Sequence, residues 1–240
     1  MYEQPFTKEN LDKFLKELAK EYRKQNGKNT PAEIILIGGA SVVINYGFRE
    51  MTYDLDAIIN ASSAMKDAIS FVGNKYDLPK GWMNDDFKKT DSFSPKIAQC
   101  AKYYRTFSNI MTVRTVTGEY LVAMKLMSGR QYKYDRSDVI GMLLDHQKAG
   151  DTLTINRIKR AVEELYGSYD ALSKEIQQFI ENVVQDGDYK KLYVLARQQE
   201  AENRNNLLEY QDEKPGVLSE DNVNDVLQAL RRRKQKGPNE

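Results

Sequence analysis

The chain is short of the residues that build covalent or metal staples. Its 240 residues include one cysteine, Cys100, and one histidine, His146. One cysteine excludes an intramolecular disulfide, and the two residues together are too few for a zinc cluster. Both are read as packing or surface positions. There is one tryptophan, Trp82, and only six prolines, which leaves long stretches free of helix breakers. No apolar run approaches the ~20 residues that a membrane-spanning helix needs. The opening residues, Met1-Tyr2-Glu3-Gln4-Pro5-Phe6, have neither the basic start nor the apolar stretch of a secretory signal. These shortages predict a soluble, cytoplasmic protein with no membrane partner. An excess of one charge is lacking too. Thirty-six Lys and Arg stand against 35 Asp and Glu, for a net charge of +1, where a dedicated duplex-binding domain is usually more basic.

What is present suffices for a folded core, with 40% hydrophobic and 30% charged residues. Thr7 is placed to cap a helix in which Leu11, Phe14, Leu15, Leu18 and Tyr22 recur at helical spacing. Gly27 and Pro31 end it. Glu33 to Ile37 reads as a buried strand, broken at once by Gly38 and Gly39. Ala40 to Tyr46 follows as a short helix, Asp54 to Ile59 as a second strand, and Ala64 to Tyr76 as a helix capped by Ser62 or Ser63. Residues 77–100, punctuated by Pro79, Gly81 and Pro95, read as loops with short helical pieces. Tyr103 to Phe107 and Ile110 to Val116 predict a hairpin turning at Ser108-Asn109. Glu119 to Met127 is an apolar helix carrying Lys125. Everything from Lys133 onward is helical in pattern. The expected fold class is therefore α/β (α+β): a small mixed sheet flanked by helices over residues 1–130, then an all-helical region over 131–240. The helix expected at 133–147 can belong to either.

Three features carry chemistry. A strand running into Gly38-Gly39-Ala40-Ser41 and then a helix lets the backbone approach a ligand closely. The helix start offers unpaired N–H groups to an anion, and Ser41 adds a hydroxyl. Alone, the same motif is also a tight turn that binds nothing. In Asp54-Leu55-Asp56 the two carboxylates project from one face of a strand. Like charges so close repel unless a cation lies between them, and hard oxygen ligands suit magnesium. A polar strand end is the plainer reading. Only twelve residues separate Ser41 from Asp54, enough for one short helix and a return to the sheet. Glycine turn and carboxylates then meet at neighbouring strand ends, as a triphosphate site requires.

Gly38-Gly39-Ala40-Ser41 followed by Asp54-Leu55-Asp56 resembles the signature of the nucleotidyltransferase (polymerase-beta-like) superfamily. Leu121 to Leu126 with Lys125, then Arg130 and Asp135-Arg136-Ser137-Asp138-Val139, is similar to the lysine and aspartate motifs of its toxin-type members, exemplified by the abortive-infection AbiEii toxin. Leu78 to Asp86 resembles a segment of related bacterial nucleotidyltransferase-like proteins. The resemblance covers about residues 33–145 and implies a nucleotidyltransferase core. Gly38, Gly39 and Ser41 would hold a nucleoside triphosphate. Asp54 and Asp56 would bind Mg2+ or Mn2+. Lys125 would contact the phosphates or the attacking group, and Asp138 or Asp135 would complete the site. The implied acceptor is an RNA end or a protein hydroxyl, and the implied partner an antitoxin protein. One departure bears on activity. The strand at Ile110 to Val116 carries Thr112 and Arg114 where family members commonly place a third carboxylate. A nucleotide- or protein-binding module without chemistry is the alternative, and a purely structural protein a third reading.

Other positions admit two roles. Trp82 can stack on a base or anchor its loop on the core, the more usual fate of a lone tryptophan. Tyr103, Tyr104 and Phe107 are read as strand packing. Gln198 to Asn206 is read as an exposed helical face. The run Arg231-Arg232-Arg233-Lys234-Gln235-Lys236 can bind RNA phosphates or simply complement a helix C-terminus.

Overall fold

A computed structural model of the protein describes residues 5–219 and 222–236. Met1 to Gln4, part of the segment inspected for a signal, lie outside the described residues. In chain order the elements are β1 (Phe6–Thr7), α1 (Lys8–Asn26), β2 (Ala32–Leu36), α2 (Gly38–Asn45), β3 (Met51–Thr52), β4 (Leu55–Asn60), α3 (Ala64–Tyr76), β5 (Met83–Asn84), α4 (Ile97–Cys100), β6 (Lys102–Phe107) and β7 (Met111–Thr115). Helices α5 (Gly118–Ser128), α6 (Asp135–Lys148), α7 (Ile155–Tyr166), α8 (Lys174–Asp186), α9 (Tyr189–Glu213) and α10 (Val223–Lys236) follow. No helix among the described residues is long and apolar enough to cross a membrane.

The isoleucine-rich run forms the middle of a five-stranded mixed sheet ordered β5-β4-β2-β7-β6. β2 runs antiparallel to β4 and parallel to β7, while β6 and β7 form the expected antiparallel hairpin. The run is continuous rather than alternating because both faces of the sheet are covered. Ile34 and Leu36 point to α1 and α3, among Phe14, Leu18, Met65 and Val72. Ile35 and Ile37 point the other way, among Leu121, Val122, Val139 and Leu143 of α5 and α6. Each such side chain contributes about 1.5–3 kcal/mol through burial. The second cluster continues through α7 and α8 to Tyr189, and α6 packs on both α5 and α9.

Local signals account for the element ends. Thr7 precedes α1, and its N–H donates to Asn10 Oδ1 at 2.9 Å, half of a capping box. Ser108 and Asn109 both adopt φ of 52°. They are the two central residues of a turn closed by the Ile110 N–H on the Phe107 carbonyl at 3.1 Å, and two left-handed residues there match the twist of the hairpin. Trp82 anchors its loop. It is 2% exposed, and its Nε1 donates to the Ile69 carbonyl at 3.0 Å. His146 accepts a packing role, with Nε2 3.1 Å from the Tyr46 hydroxyl.

Two expectations need correction. Tyr103 is 66% exposed on the outermost strand, whereas Phe107 is buried and Tyr104 donates to Asp12 Oδ1 at 2.8 Å. All three lie on the edge strand β6, so aromatic character alone does not decide which of them packs. The Gln198 to Asn206 face is also not wholly exposed: Glu200, Asn203 and Asn206 are buried. Glu200 and Asn203 recur three apart along the face of α9 that meets α6 and its preceding loop, and their polar atoms find partners there. A buried polar group with a partner is tolerated, and composition alone does not reveal the partner.

Gly141 in α6 faces the Phe48 ring, and a Cβ there would fall 2.6–2.7 Å from three ring carbons. Alanine favours helices by about 1 kcal/mol over glycine, yet overpacking costs about 1–3 kcal/mol. Gly141→Ala is therefore expected to lower stability by up to about 2 kcal/mol, read as a reduced urea midpoint at unchanged slope. A stabilised variant would show that Phe48 moves freely.

Candidate functional site

The end of β2 and the start of β4 are fastened together. The Ile37 N–H donates to the Asp56 carbonyl at 3.0 Å. Ile37 is extended and is the single residue between β2 and α2, so the chain turns from strand to helix at once. Gly38 makes the turn at φ of 54°, and a Cβ there would lie 3.5 Å from Asp56 Oδ2. Gly39 is needed for space. A Cβ would meet Thr52 Oγ1 at 2.6 Å and Arg49 Nη2 at 2.9 Å. The first-turn amides of α2 have no intrahelical acceptor, so this corner presents N–H donors beside a carboxylate. Ser41 is fully buried, and its Oγ donates to the Leu36 carbonyl at 2.6 Å. In this state it pins the helix start to the strand.

Leu55 between the two aspartates is fully buried, which fixes the strand's facing. Asp54 is exposed just ahead of β4 and accepts from Thr52 Oγ1 at 3.3 Å. Asp56 is half-buried. Burial, and then the charge of Asp54, push its carboxyl above the usual range, offset in part by Arg130, Lys133 and Lys125. The cations around Asp56 thus do not outweigh its burial and the carboxylate beside it.

Lys125 is buried at 6% exposure. Its Nζ lies 2.7 Å from Asp135 Oδ1 and 2.8 Å from Asp138 Oδ2. Arg130 Nε reaches Asp135 Oδ2 at 2.8 Å, and Arg49 pairs with Asp138. Burial alone would push the Lys125 ammonium down, but Asp135 and Asp138 outweigh it and raise its pKa. Asp135 is held well below the usual carboxylate range. Burial opposes this, and Lys125 and Arg130 prevail. Both aspartates occupy the first turn of α6, where the helix dipole favours anions. Lys125 and Asp138 are thus brought to the cradle's neighbourhood through Arg49, but their charged atoms are engaged with each other. Among the described residues, no three His, Cys, Asp or Glu side chains are grouped to hold a metal ion. Arg114 on β7 pairs with Glu33 at 3.2 Å and supplies no acid to the site.

Sequence reasoning missed Arg49, Thr52 and Glu200. Glu200 reaches from α9 to the start of α6, accepting from Ser137 N–H at 3.0 Å and Ser137 Oγ at 2.6 Å. Burial pushes its carboxyl up to about 7. The only available signal was the three-residue recurrence of Glu200, Asn203 and Asn206 within a polar stretch. Arg49 carried none, since it lies in an irregular segment between α2 and β3.

A strand, a glycine turn, a short helix and an antiparallel strand opening on paired aspartates define the nucleotidyltransferase class. The family model described as nucleotidyltransferase of unknown function (DUF6036) matches residues 13–184, and the chain belongs to that family. No curated protein and no solved structure matched it.

Two outcomes test these assignments. Removing the Lys125 ammonium in Lys125→Met leaves buried carboxylates short of a cation, a change that costs about 3–5 kcal/mol. Chemical denaturation should show a loss of that size, and a loss below about 1 kcal/mol would place the ammonium in contact with water. For Glu200 the raised pKa means the protonated form is favoured in the fold. Its stability contribution is present below the ordinary value of 4.5 and is lost as pH rises through about 7. Glu200→Gln removes that titration. Between acid and alkaline pH the wild type should lose roughly 3 kcal/mol relative to the variant. Parallel stability curves for the two would refute the buried-carboxyl account.

Proposed function

We propose that the protein is a metal-dependent nucleotidyltransferase. It moves a nucleoside monophosphate from a nucleoside triphosphate to an acceptor hydroxyl, on an RNA end or a protein, as a toxin countered by an antitoxin protein. The observation that carries the reading is the Asp56 carboxylate lying against Gly38, beside the amides of a helix start and insufficiently neutralised by its neighbours.

The donor set fits a hard divalent ion. Asp54 and Asp56 would hold Mg2+ or Mn2+, with substrate phosphates and water filling the remaining positions. Such an ion would neutralise charge developing at the attacked phosphate. The chain's own residues do the rest. The amides at Gly38 and Gly39 receive triphosphate oxygens, and the missing Cβ of Gly39 keeps the Arg49 guanidinium close to them. Lys125 acts through others: it holds Asp138, and Asp138 orients Arg49. In transfer, the acceptor oxygen bonds to the α-phosphorus and pyrophosphate leaves in line.

A second reading, a catalytically impaired module that binds nucleotide or protein, is favoured by one observation. Asp138 Oδ2 is shared by Lys125 and Arg49, so the third acid is already occupied. Labelled-triphosphate incorporation and thermal shift with manganese separate the readings. Wild type should transfer label and gain about 2–3 kcal/mol of stability at a hundredfold excess over Kd. Asp54→Asn and Asp56→Asn should lose both effects. Without ligand, Asp56→Asn should be no less stable than wild type, because the substitution removes a repelled carboxylate. A shift without turnover on RNA and protein acceptors would favour the module, and undiminished incorporation by either variant would refute the assigned roles.

A further inference from the structure

We infer that α9 and the loop before α6 form a second anion site, an arginine platform around Tyr134 that seats the phosphate backbone of a nucleic-acid acceptor beside the triphosphate cradle. Tyr134 immediately precedes α6, and three guanidinium groups surround its ring. Their central carbons lie 5.2 Å (Arg49), 4.1 Å (Arg197) and 4.9 Å (Arg204) from the ring centroid. Arg197 and Arg204 are seven residues apart on α9 and so share a face. Both reach one ring, so their charges lie closer together than the sum of their distances to it, close enough for one strand to contact both.

Like charges gathered this way repel. Arg49 is neutralised by Asp138, but neither Arg197 nor Arg204 has a carboxylate partner among the described residues. The Tyr134 ring offsets part of the repulsion and holds the guanidinium groups in place. Planar guanidinium groups held on an aromatic face keep their N–H edges for phosphate oxygens. The surplus positive charge is therefore fixed in position and awaits an anion.

Its location links it to the proposed chemistry. Arg49 spans the two sites, stacking on Tyr134 while its Nη2 sits 2.9 Å from where a Gly39 Cβ would be. Lys133, exposed and next to Tyr134, offsets the charge of Asp56. Arg231 of α10 donates to Asn203, the neighbour of Arg204. Arg231 therefore lies on the flank of α9, and together with Arg49, Arg197 and Arg204 it makes a cationic surface larger than one triphosphate needs. That extent favours a strand over a protein hydroxyl. The two arginines lie beyond residues 13–184, outside the part of the chain that the family model matches.

The meaning of the platform as an acceptor site rests on the nucleotidyltransferase reading, but its test does not require turnover. The probe is a fluorescein-labelled RNA hairpin with a single-stranded 3′ overhang, titrated with the full chain at rising salt and followed by anisotropy. Arg197→Gln with Arg204→Gln should weaken binding about tenfold or more. It should also flatten the logarithmic salt slope by about 1.4, at roughly 0.7 per lost single-strand phosphate contact. The thermal shift with manganese and triphosphate should persist, which shows that the variant is folded. Arg197→Lys with Arg204→Lys keeps the charge and should keep the slope. Wild-type protein without RNA affinity, as expected for a protein acceptor, would overturn the proposal. So would a double Gln variant that binds RNA normally, or one that loses the nucleotide shift while retaining RNA. RNA binding lost in the double variant, with no nucleotide shift even in wild type, would uphold the platform and reject the nucleotidyltransferase reading.

Discussion

Lys125 and the two aspartates of α6 are the constraint from which the site's arrangement follows. Placing an ammonium inside a packed helix costs several kcal/mol unless its charge is met. Here it is met twice, by Asp135 and Asp138. Those carboxylates in turn draw in Arg130 and Arg49. The five members come from four places: α5, the first turn of α6, which carries both aspartates, the loop between those two helices, and the segment after α2. The network therefore fixes how the helical layer meets the glycine turn, in a way that apolar packing, which is nondirectional, does not. Arg49 is the outermost link, and through it the buried charges determine what lies against Gly39.

The apolar architecture was legible because periodicity reports burial directly. Leu11 through Tyr22 predicted one helix face, the isoleucines after Ala32 predicted a strand covered on both sides, and Ala64 to Tyr76 is the observed helix. The Gly-Gly turn and the aspartate pair were legible for a related reason. Positive φ, close approach and alternating carboxylates constrain residue type at fixed spacing, and Gly38 and Asp56 do lie together. What escaped was the choice of partner for each polar side chain. Lys125 was open to a role at solvent or at a ligand, and its partners proved to be ten and thirteen positions further along the chain. Nothing in its apolar helix distinguishes those outcomes. Glu200 was hidden more completely, because its partner Ser137 is 63 residues away.

Glu200 also gives the C-terminal helices a role beyond bulk. The start of α6 needs acceptors for its free amides, and the carboxylate from α9 supplies one to the Ser137 N–H while also accepting from the Ser137 hydroxyl. The same turn of α6 carries Asp135 and Asp138. One helix end is thus held from two directions: α9 caps the Ser137 amide, and Lys125 meets its carboxylates. A displacement of α9 would disturb the orientation of Asp138 and, through it, Arg49, so the helical region is mechanically coupled to the glycine turn.

The distribution of charge draws these points together. Overall the chain is nearly balanced, at +1, and the deeply buried charges of the site are paired. The uncompensated ones gather on either side of Arg49, negative at Asp54 and Asp56 and positive at Arg197 and Arg204. A ligand bringing a cation to one side and phosphates to the other relieves both at once. A metal–triphosphate complex with a phosphodiester acceptor has that composition, whereas a neutral small molecule or a simple anion would relieve at most one.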